Sequence, residues 1–260
     1  MAYVPVQVAA LLKDLTTQLP IILGKNLLGF YLHGSLRHSS FNSKRSDVDC
    51  IVVTQRKLSD AQFRKMSAWL AQAAQSNPWA ARLQVLFLIK NEVLTMNARA
   101  CLYQFGVFKR GSSDGNPIIW LEVMQSGATQ LGPQPESFVP TITRELLFQA
   151  LQRELSYLRE EICGKKASEW RNVPSYRGYA VVTVCRILYS FEHGRIVSKQ
   201  QAGRWAIKNL PKKWNPIILQ AFGTHDGKRP AGIPLSRIKQ FIDFADVRLV
   251  SGGGGPHRSQ

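Results

Sequence analysis

Residues 32–52 read LHGSLRHSSFNSKRSDVDCIV, and the order of features in this stretch indicates the fold. An apolar run over 27–33 ends at Gly34-Ser35, a polar and basic loop follows, and a second apolar run begins at Val48. Short apolar runs that are bounded by turn residues are typical of buried strands. The stretch therefore predicts two strands of one sheet, joined by a loop that begins at a Gly-Ser turn.

The flanking segments extend this pattern. Apolar positions at helical spacing over 5–19, ended by Pro20, predict a helix ahead of the first strand. A second helix is predicted over 58–76 and a third strand over 83–89. The order helix, strand, loop, strand, helix, strand is that of an α/β domain.

The second half of the chain changes to helical spacing alone, with no alternating strand pattern after about residue 125. Glycines and prolines between residues 127 and 140 predict a linker. We predict an α/β domain with a mixed sheet over 1–130, an α-helical bundle domain over 140–250 and a disordered tail over 251–260. The helices of the second domain are predicted at 143–163, 180–191, 199–210, 216–222 and 238–250.

The charge balance limits the classes of partner. There are 34 Lys and Arg residues against 17 Asp and Glu residues, a net charge of +17. Such a surface attracts nucleotide phosphates, nucleic acid or an anionic membrane, and disfavours a polycationic substrate. No apolar run approaches the roughly 18 residues of a membrane span. Together with the absence of CxxC pairs and of a signal peptide at Met1, this predicts a cytoplasmic protein with reduced cysteines and no membrane segment.

The Gly-Ser turn and two aspartates carry the chemistry. Gly34 and Ser35, leaving a strand for a helix, would present backbone amides and a hydroxyl to a phosphate. Asp47 and Asp49 are two residues apart on a strand, so their carboxylates point to the same face. Two converging carboxylates are oxygen ligands for Mg²⁺, whose other ligands would be water and triphosphate oxygens. This combination predicts a nucleoside triphosphate as substrate, Mg²⁺ as cofactor, and phosphoryl or nucleotidyl transfer as the reaction.

Gly-Ser, a short loop and Asp-x-Asp on the next strand resemble the signature of the nucleotidyltransferase superfamily. The second half is similar to the helical domain of the streptomycin/spectinomycin-type aminoglycoside adenylyltransferases, and the resemblance spans most of residues 25–222. It implies a nucleotidyltransferase domain followed by a helical bundle, with AMP passing from ATP to a hydroxyl of an aminoglycoside or aminocyclitol antibiotic in the cleft between them. The segments that carry the family resemblance are QFG at 104–106, LGP at 131–133, RILYS at 186–190, GRIVSK at 194–199, AGRWA at 202–206 and LP at 210–211.

The resemblance also implies roles for individual residues. Arg186 and Lys199 match basic residues that reach the phosphates from the helical side. The chemistry of these two residues leaves other roles open, because a structural salt bridge explains Arg186 in an apolar helix and a helix-capping role explains Lys199. The implied nucleotide-binding set is Gly34, Ser35, Ser46, Arg186 and Lys199, and the implied catalytic and metal set is Asp47 and Asp49 together with the position of Gln84.

Gln84 is a departure from the family, which carries a catalytic glutamate there as general base. A neutral amide cannot accept the proton of the attacking hydroxyl. Glu92 lies roughly 26 Å further along an extended chain, at about 3.3 Å per residue, which is too far to replace it. Three explanations stay open: a Glu-to-Gln change introduced to trap substrate, a natural glutamine in a slow or inactive protein, or a base supplied by another acid.

The acceptor side departs as well. The family holds cationic drug groups with acidic residues ahead of the helix that contains Arg186, and the matching residue here is Tyr176. The aromatic residue of the drug pocket corresponds to Phe108. With the positive net charge, these residues predict a less cationic aminocyclitol or another small hydroxyl compound rather than streptomycin. The alternative function is a catalytically weak or inactive protein of the same fold that binds nucleotide or nucleic acid.

Overall fold

The chain forms two compact units, Met1–Thr141 and Ile142–Gln260. The computed structural model describes residues 4–37, 41–43, 46–95, 98–113, 116–126, 128–164, 169–225 and 232–253. The first unit contains a mixed sheet with helices, and the described part of the second unit is helical. The predicted fold class, an α/β domain followed by an α-helical bundle, is confirmed.

The first unit is built on a six-stranded sheet with the order β5-β4-β3-β2-β1-β6. β2 and β3 are parallel, and the other neighbouring strands are antiparallel. In chain order its elements are α1 (Val6–Leu23), β1 (Leu27–His33), β2 (Val48–Thr54), α2 (Asp60–Ser76), β3 (Leu83–Ile89), β4 (Ala98–Gln104), β5 (Val107–Ser113), α3 (Pro117–Ser126) and β6 (Thr129–Leu131).

The two faces of the central strands differ. On one face, which we call the helix-packed face, Val48 and Cys50 of β2 and Val85 of β3 join a hydrophobic core with residues of α1 and α2. Successive strand residues point to opposite faces, so Asp49 and Gln84 lie on the other face, which we call the site face. The alternation therefore separates the core from the predicted chemistry.

Helix α1 belongs to this core. Among the described residues, the segment Val6–Asn26, which contains α1, is long and apolar enough to cross a membrane, with a mean hydropathy of 1.3. Buried core helices of soluble proteins pass the same test. The apolar stripe of α1 is buried under the sheet, which indicates a core helix. The predicted end at Pro20 is wrong, because Pro20 lies inside the helix. A proline removes a hydrogen bond of the helix backbone, and the burial of Leu19 and Leu23 on either side offsets that cost.

Four elements of the first unit, β4, β5, α3 and β6, were not predicted, and β6 contradicts the expectation of no strand after about residue 125. β4 and β5 form a hairpin whose turn residues Phe105 and Gly106 have φ values of 53° and 76°. These angles suit a type I′ turn, which is normally signalled by Asn-Gly or Asp-Gly. α3 is apolar around most of its circumference, so it shows no helical periodicity.

The second unit is arranged around α6, which contacts α4, α7, α8 and α9. Residues 180–185 of α6 are all buried. α6 begins at Pro174, earlier than predicted, because its first turn is polar and masks the periodicity; it ends before Gly194, whose φ of 63° suits a C-terminal cap. In chain order the elements are α4 (Arg144–Cys163), α5 (Glu169–Asn172), α6 (Pro174–His193), α7 (Lys199–Asn209), α8 (Asn215–His225) and α9 (Leu235–Gly253).

The predicted disordered tail over 251–260 is wrong for its first three residues, since α9 continues through Gly253. Backbone hydrogen bonds to the preceding turn extend a helix past its last apolar residue, even into glycines. Residues 254–260 lie outside the described part of the chain.

Candidate active site

The site face brings side chains of three adjacent strands into one row. His33 of β1 pairs with Asp49 of β2, and Asp49 is the partner of Gln84 on β3. Register partners on neighbouring strands point to the same face, so His33, Asp49 and Gln84 lie side by side. Asp47 directly precedes β2, which begins at Val48 rather than at Asp47. The row and Asp47 together form the centre of the candidate site.

Gln84 contacts the first aspartate directly. Its Nε2 donates a hydrogen bond to Oδ2 of Asp47 over 3.2 Å. The NH₂ group of the amide donates this bond, and an amide has no basic group that could accept a proton. Gln84 thus stabilises the Asp47 carboxylate and is unable to take a proton from a reacting hydroxyl.

Gly34 is required where β1 turns toward the loop. Its φ is 71°, and a Cβ at this position would overlap Oδ2 of Asp49. The Asp49 carboxylate therefore lies directly against the Gly34 backbone. The predicted helix after this turn is a four-residue 3₁₀ turn, Gly34–Arg37. Within it, the Ser35 Oγ is buried without a hydrogen-bond partner among the described residues, an arrangement that a ligand oxygen would satisfy.

We expect Gly34→Ala to displace the Asp49 carboxylate, and therefore to abolish metal-dependent ATP binding while the chain stays folded. Forcing alanine into the left-handed region costs about 1–2 kcal/mol of stability in either case. Gly24→Ala is the matched control, since Gly24 has a φ of 55° and a Cβ there would have no neighbour within 4 Å. Calorimetric titration with ATP and thermal unfolding of both variants check this. Equal ATP affinities for the two variants would show that the close contact between Gly34 and the Asp49 carboxylate is not needed for ATP binding.

The donor set fits Mg²⁺. Within the described ranges, no group of three or more His, Cys, Asp and Glu side chains is placed to hold a metal. Asp47 and Asp49 supply two carboxylates, and Mg²⁺ is commonly held by one or two carboxylates with water and substrate phosphates completing its shell. Cys50 lies in the hydrophobic core of the helix-packed face, away from the two carboxylates, and burial and the neighbouring Asp49 charge raise the pKa of its thiol well above the ordinary value.

Ser46 closes the loop ahead of Asp47. Its Oγ accepts a hydrogen bond from the Asn42 N–H over 2.9 Å, and its own N–H donates to the Asn42 carbonyl over 2.8 Å. The structure therefore shows a loop-closing role for Ser46, and its contact with nucleotide stays a prediction.

Phe108 lies on the helix-packed face, away from the row. It pairs with Tyr103 of β4, a member of the core, and stacks on Phe63 of α2 with ring centroids 4.6 Å apart. Its ring is also 5.2 Å from that of Phe87. The pleat of β5 directs Phe108 toward α2, which favours a packing role, and its contact with the acceptor stays a prediction.

Arg186 and Lys199 both lie near the connection between α6 and α7. The Arg186 Nε donates to the Val197 carbonyl over 3.2 Å, and the Lys199 Nζ lies 4.5 Å from the centre of the Tyr179 ring. Tyr179 and Arg186 are two helical turns apart, so they lie on the same side of α6. The two cations therefore belong to one region of the second unit. Tyr176 lies in the first turn of α6 and is partly exposed.

Two further residues near the site were missed in the sequence. Glu122 of α3 is 6% exposed, and its Oε2 lies 3.8 Å from the Nδ1 of His33. A lone acid within the apolar run WLEVM at 120–124 was the available signal. Arg82, ahead of β3, donates hydrogen bonds to the carbonyls of Ser43 and Ser46. Contacts to backbone carbonyls leave no motif in the sequence.

Comparison with known proteins gives a consistent family. Residues 137–247 match the family model described as the aminoglycoside adenylyltransferase C-terminal domain. An aminoglycoside (3'') (9) adenylyltransferase of Escherichia coli is 24% identical, with 94% of this chain and 96% of that protein covered. A spectinomycin 9-adenylyltransferase of Staphylococcus aureus is 25% identical over 80% of this chain and 78% of its own length.

The chain is therefore similar to the aminoglycoside adenylyltransferases, over residues 137–247 by the family model and over most of its length by the relatives. The family resemblance predicted from the sequence is thus confirmed. A solved structure agrees in fold: spectinomycin adenyltransferase AAD(9) from Enterococcus faecialis, determined with ATP and spectinomycin, matches with a TM-score of 0.70 at 17% identity. The match covers 93% of this chain and 99% of that one.

Proposed function

We propose that the protein transfers AMP from ATP to a hydroxyl of a small acceptor, an aminoglycoside or aminocyclitol antibiotic, and so confers resistance. The observation that carries the proposal is the contact of Gln84 with Asp47 beside Asp49, with the buried Ser35 hydroxyl following Gly34. The names of the relatives, all adenylyltransferases, support it. Use of ATP and Mg²⁺ is consistent with the predicted cytoplasmic location.

The residues have separate roles in this reaction. Asp47 and Asp49 would hold Mg²⁺, which when bound neutralises phosphate charge and polarises the phosphoryl oxygens. The Ser35 hydroxyl and the backbone amides that follow Gly34 bind triphosphate oxygens. The family resemblance implies that Arg186 and Lys199 would supply positive charge to the phosphates, which guanidinium and ammonium groups suit.

In the proposed reaction AMP passes directly from ATP to the acceptor, without a covalent enzyme intermediate. The acceptor hydroxyl oxygen forms a bond to the α-phosphorus of ATP, the bond from that phosphorus to the pyrophosphate oxygen breaks, and pyrophosphate leaves. The hydroxyl proton must pass to a base, and Gln84 cannot receive it. With no glutamate at position 84, the proton passes to another acid or to water, so we expect the protein as it stands to be a slow enzyme.

The acceptor is a weakly cationic one. Gln84 and Tyr176 are neutral at two positions where the family resemblance implies acids, and the chain carries a net charge of +17. A polycation is repelled by such a surface, whereas an aminocyclitol with few amines is tolerated. The spectinomycin adenyltransferase that shares the fold was solved with an acceptor of this kind, which supports the proposal.

A second function, nucleotide binding without catalysis, is favoured by one observation, the amide at position 84. A protein with this function would bind ATP but would not transfer AMP. Binding of nucleic acid, which the net charge suggested, gains no support from the relatives, and we do not propose it.

A thermal-shift screen of the full chain tests the proposal. ATP should raise the unfolding temperature only with Mg²⁺, and an aminocyclitol should raise it further, because ligands that bind the native state stabilise it by mass action. No shift with ATP and Mg²⁺ would overturn both functions. A shift with ATP and Mg²⁺ but with none of a panel of aminoglycosides and aminocyclitols would favour the nucleotide-binding alternative.

We expect Arg186→Ala and Lys199→Ala each to weaken ATP binding by about 1–3 kcal/mol, the range for a hydrogen bond to a charged group. Calorimetry with Mg²⁺ present measures the change. Lys208→Ala, an exposed position on α7, is the control for a simple loss of charge. Losses no larger than that of the control would show that the two cations do not reach the phosphates.

A further inference from the structure

The turn that leads into β3 holds the loop ahead of Asp47. The Arg82 guanidinium donates to the Ser43 carbonyl through Nη1 over 2.7 Å and to the Ser46 carbonyl through Nη2. A guanidinium carries its donors in one rigid plane, so binding both carbonyls fixes their separation and direction. Ser46 is the residue directly before Asp47.

Aromatic rings hold the guanidinium in place. The Arg82 Cζ lies 4.4 Å from the centre of the Trp79 ring, a cation–π contact. Trp79 is 9% exposed, and its ring is 5.7 Å from that of Phe41 on the loop itself. We call Arg82, Trp79 and Phe41 the Arg82 clamp. It joins both ends of the described loop, residue 41 and residue 46, to the turn before β3.

The turn that carries the clamp is itself anchored. The Asn77 Oδ1 accepts a hydrogen bond from the Trp79 N–H over 3.0 Å, and the Asn77 Nδ2 donates to the Gln7 carbonyl of α1 over 2.9 Å. The turn is thus tied to the helix-packed side of the unit. Two residues after Arg82, Gln84 contacts the Asp47 carboxylate. Residues at the start of β3 therefore restrain Asp47 in two ways: Arg82 binds the carbonyl of the preceding residue, Ser46, and Gln84 binds the Asp47 side chain.

We propose that Arg82 is a positioning residue for the nucleotide site, which fixes the backbone ahead of Asp47 so that its carboxylate keeps the orientation needed for metal-dependent ATP binding. Arg82 touches neither substrate nor metal and acts through Ser46 and Asp47. The part of the inference that concerns ATP rests on the proposed function, whereas the restraint of the loop does not. Loss of a residue that orients a metal ligand typically costs about 10–100-fold in affinity.

The test compares Arg82→Ala, Arg82→Lys and Arg64→Ala in the full chain. Arg64 is an exposed arginine on α2 and controls for the loss of one positive charge. Hydrogen exchange of the free proteins follows the backbone amides of Asn42 and Ser46, each of which donates a hydrogen bond within the loop. Calorimetry with and without Mg²⁺ then follows ATP binding, which separates the metal-dependent part of the affinity from the rest.

We expect Arg82→Ala to speed exchange at Asn42 and Ser46 while the core of the unit exchanges as before, and to lower the Mg²⁺-dependent ATP affinity by about 10–100-fold. Affinity for ATP without metal should stay unchanged, a selectivity that general unfolding would not produce. Arg82→Lys should be intermediate, since one ammonium cannot reproduce the planar fork. Should Arg82→Ala not fold, Arg82→Lys serves for the same comparison.

Exchange equal to that of Arg64→Ala would overturn the inference, and so would faster exchange with an unchanged metal-dependent affinity. If the wild-type protein does not bind ATP with Mg²⁺, the proposed function fails. In that case the claim on ATP fails with it, and the exchange data alone decide whether Arg82 restrains the loop.

Discussion

Replacing Asp47 by asparagine should abolish metal-dependent ATP binding and reduce AMP transfer by at least about 10³-fold, because a metal that stabilises transition-state charge contributes several kcal/mol. The substitution should leave the fold intact, since the Asp47 Oδ2 accepts from the Gln84 Nε2 over 3.2 Å and an amide oxygen can accept the same bond. The loss should therefore reflect the missing charge. Asp49→Asn should behave alike, since its carboxylate lies against Gly34 in the same row.

Calorimetry of ATP with Mg²⁺ and with EDTA, together with a pyrophosphate-release assay, measures both variants. Asp14→Asn is the matched control, because Asp14 is an exposed aspartate on α1. Wild-type ATP affinity that is the same with Mg²⁺ and with EDTA would contradict the assignment of two metal carboxylates, and so would a normal affinity in Asp47→Asn.

Gln84→Glu should raise the rate of AMP transfer at least about a hundredfold, since general-base help is typically worth about 10²–10⁴-fold. The change is nearly isosteric and introduces the carboxylate that the family resemblance implies at this position. Without metal, the new carboxylate would face that of Asp47 at hydrogen-bonding distance, where the amide now donates. The variant should therefore unfold at a lower temperature than the wild type in EDTA and recover with Mg²⁺.

Pyrophosphate release with ATP, Mg²⁺ and the acceptor that scores best in the thermal-shift screen compares Gln84→Glu with the wild type. Gln62→Glu is not a suitable control, because that side chain caps α2; Gln72→Glu, on the exposed side of α2, is suitable. Equal rates for Gln84→Glu and the wild type would show that position 84 is not the base. No release from either form, with an acceptor that binds, would favour the nucleotide-binding alternative.

The sequence predicted the parts of the fold that have local signals. Strands β1, β2 and β3 appear as short apolar runs bounded by turns, and α4 and α7 follow helical spacing between clear caps such as Thr143 and Ser198. The Asp-x-Asp spacing was sufficient to place Asp49 on the polar face of β2. These features depend on neighbours along the chain, which a single sequence contains.

The rest depends on tertiary pairing. The β4–β5 hairpin turns at Phe105-Gly106 without the usual turn residues, and Lys109 and Arg110 interrupt its apolar alternation. The acceptor-binding role of Phe108 was predicted from its match to a family residue. In the structure, the register of the hairpin directs the Phe108 ring to α2. The Arg82 clamp joins residues about forty positions apart through backbone carbonyls. A residue of any type at positions 43 and 46 would present such a carbonyl. No local pattern records such a contact.

The most direct measurement follows the AMP group itself. Wild-type protein and Gln84→Glu are incubated with ATP labelled at the α-phosphate, Mg²⁺ and the best-binding acceptor, and the products are separated and identified by mass spectrometry. We expect label in the acceptor, joined through a phosphodiester to one hydroxyl, and unlabelled pyrophosphate, with a faster yield from Gln84→Glu. Label that stays in ATP with both proteins, although ATP and acceptor bind, would contradict AMP transfer.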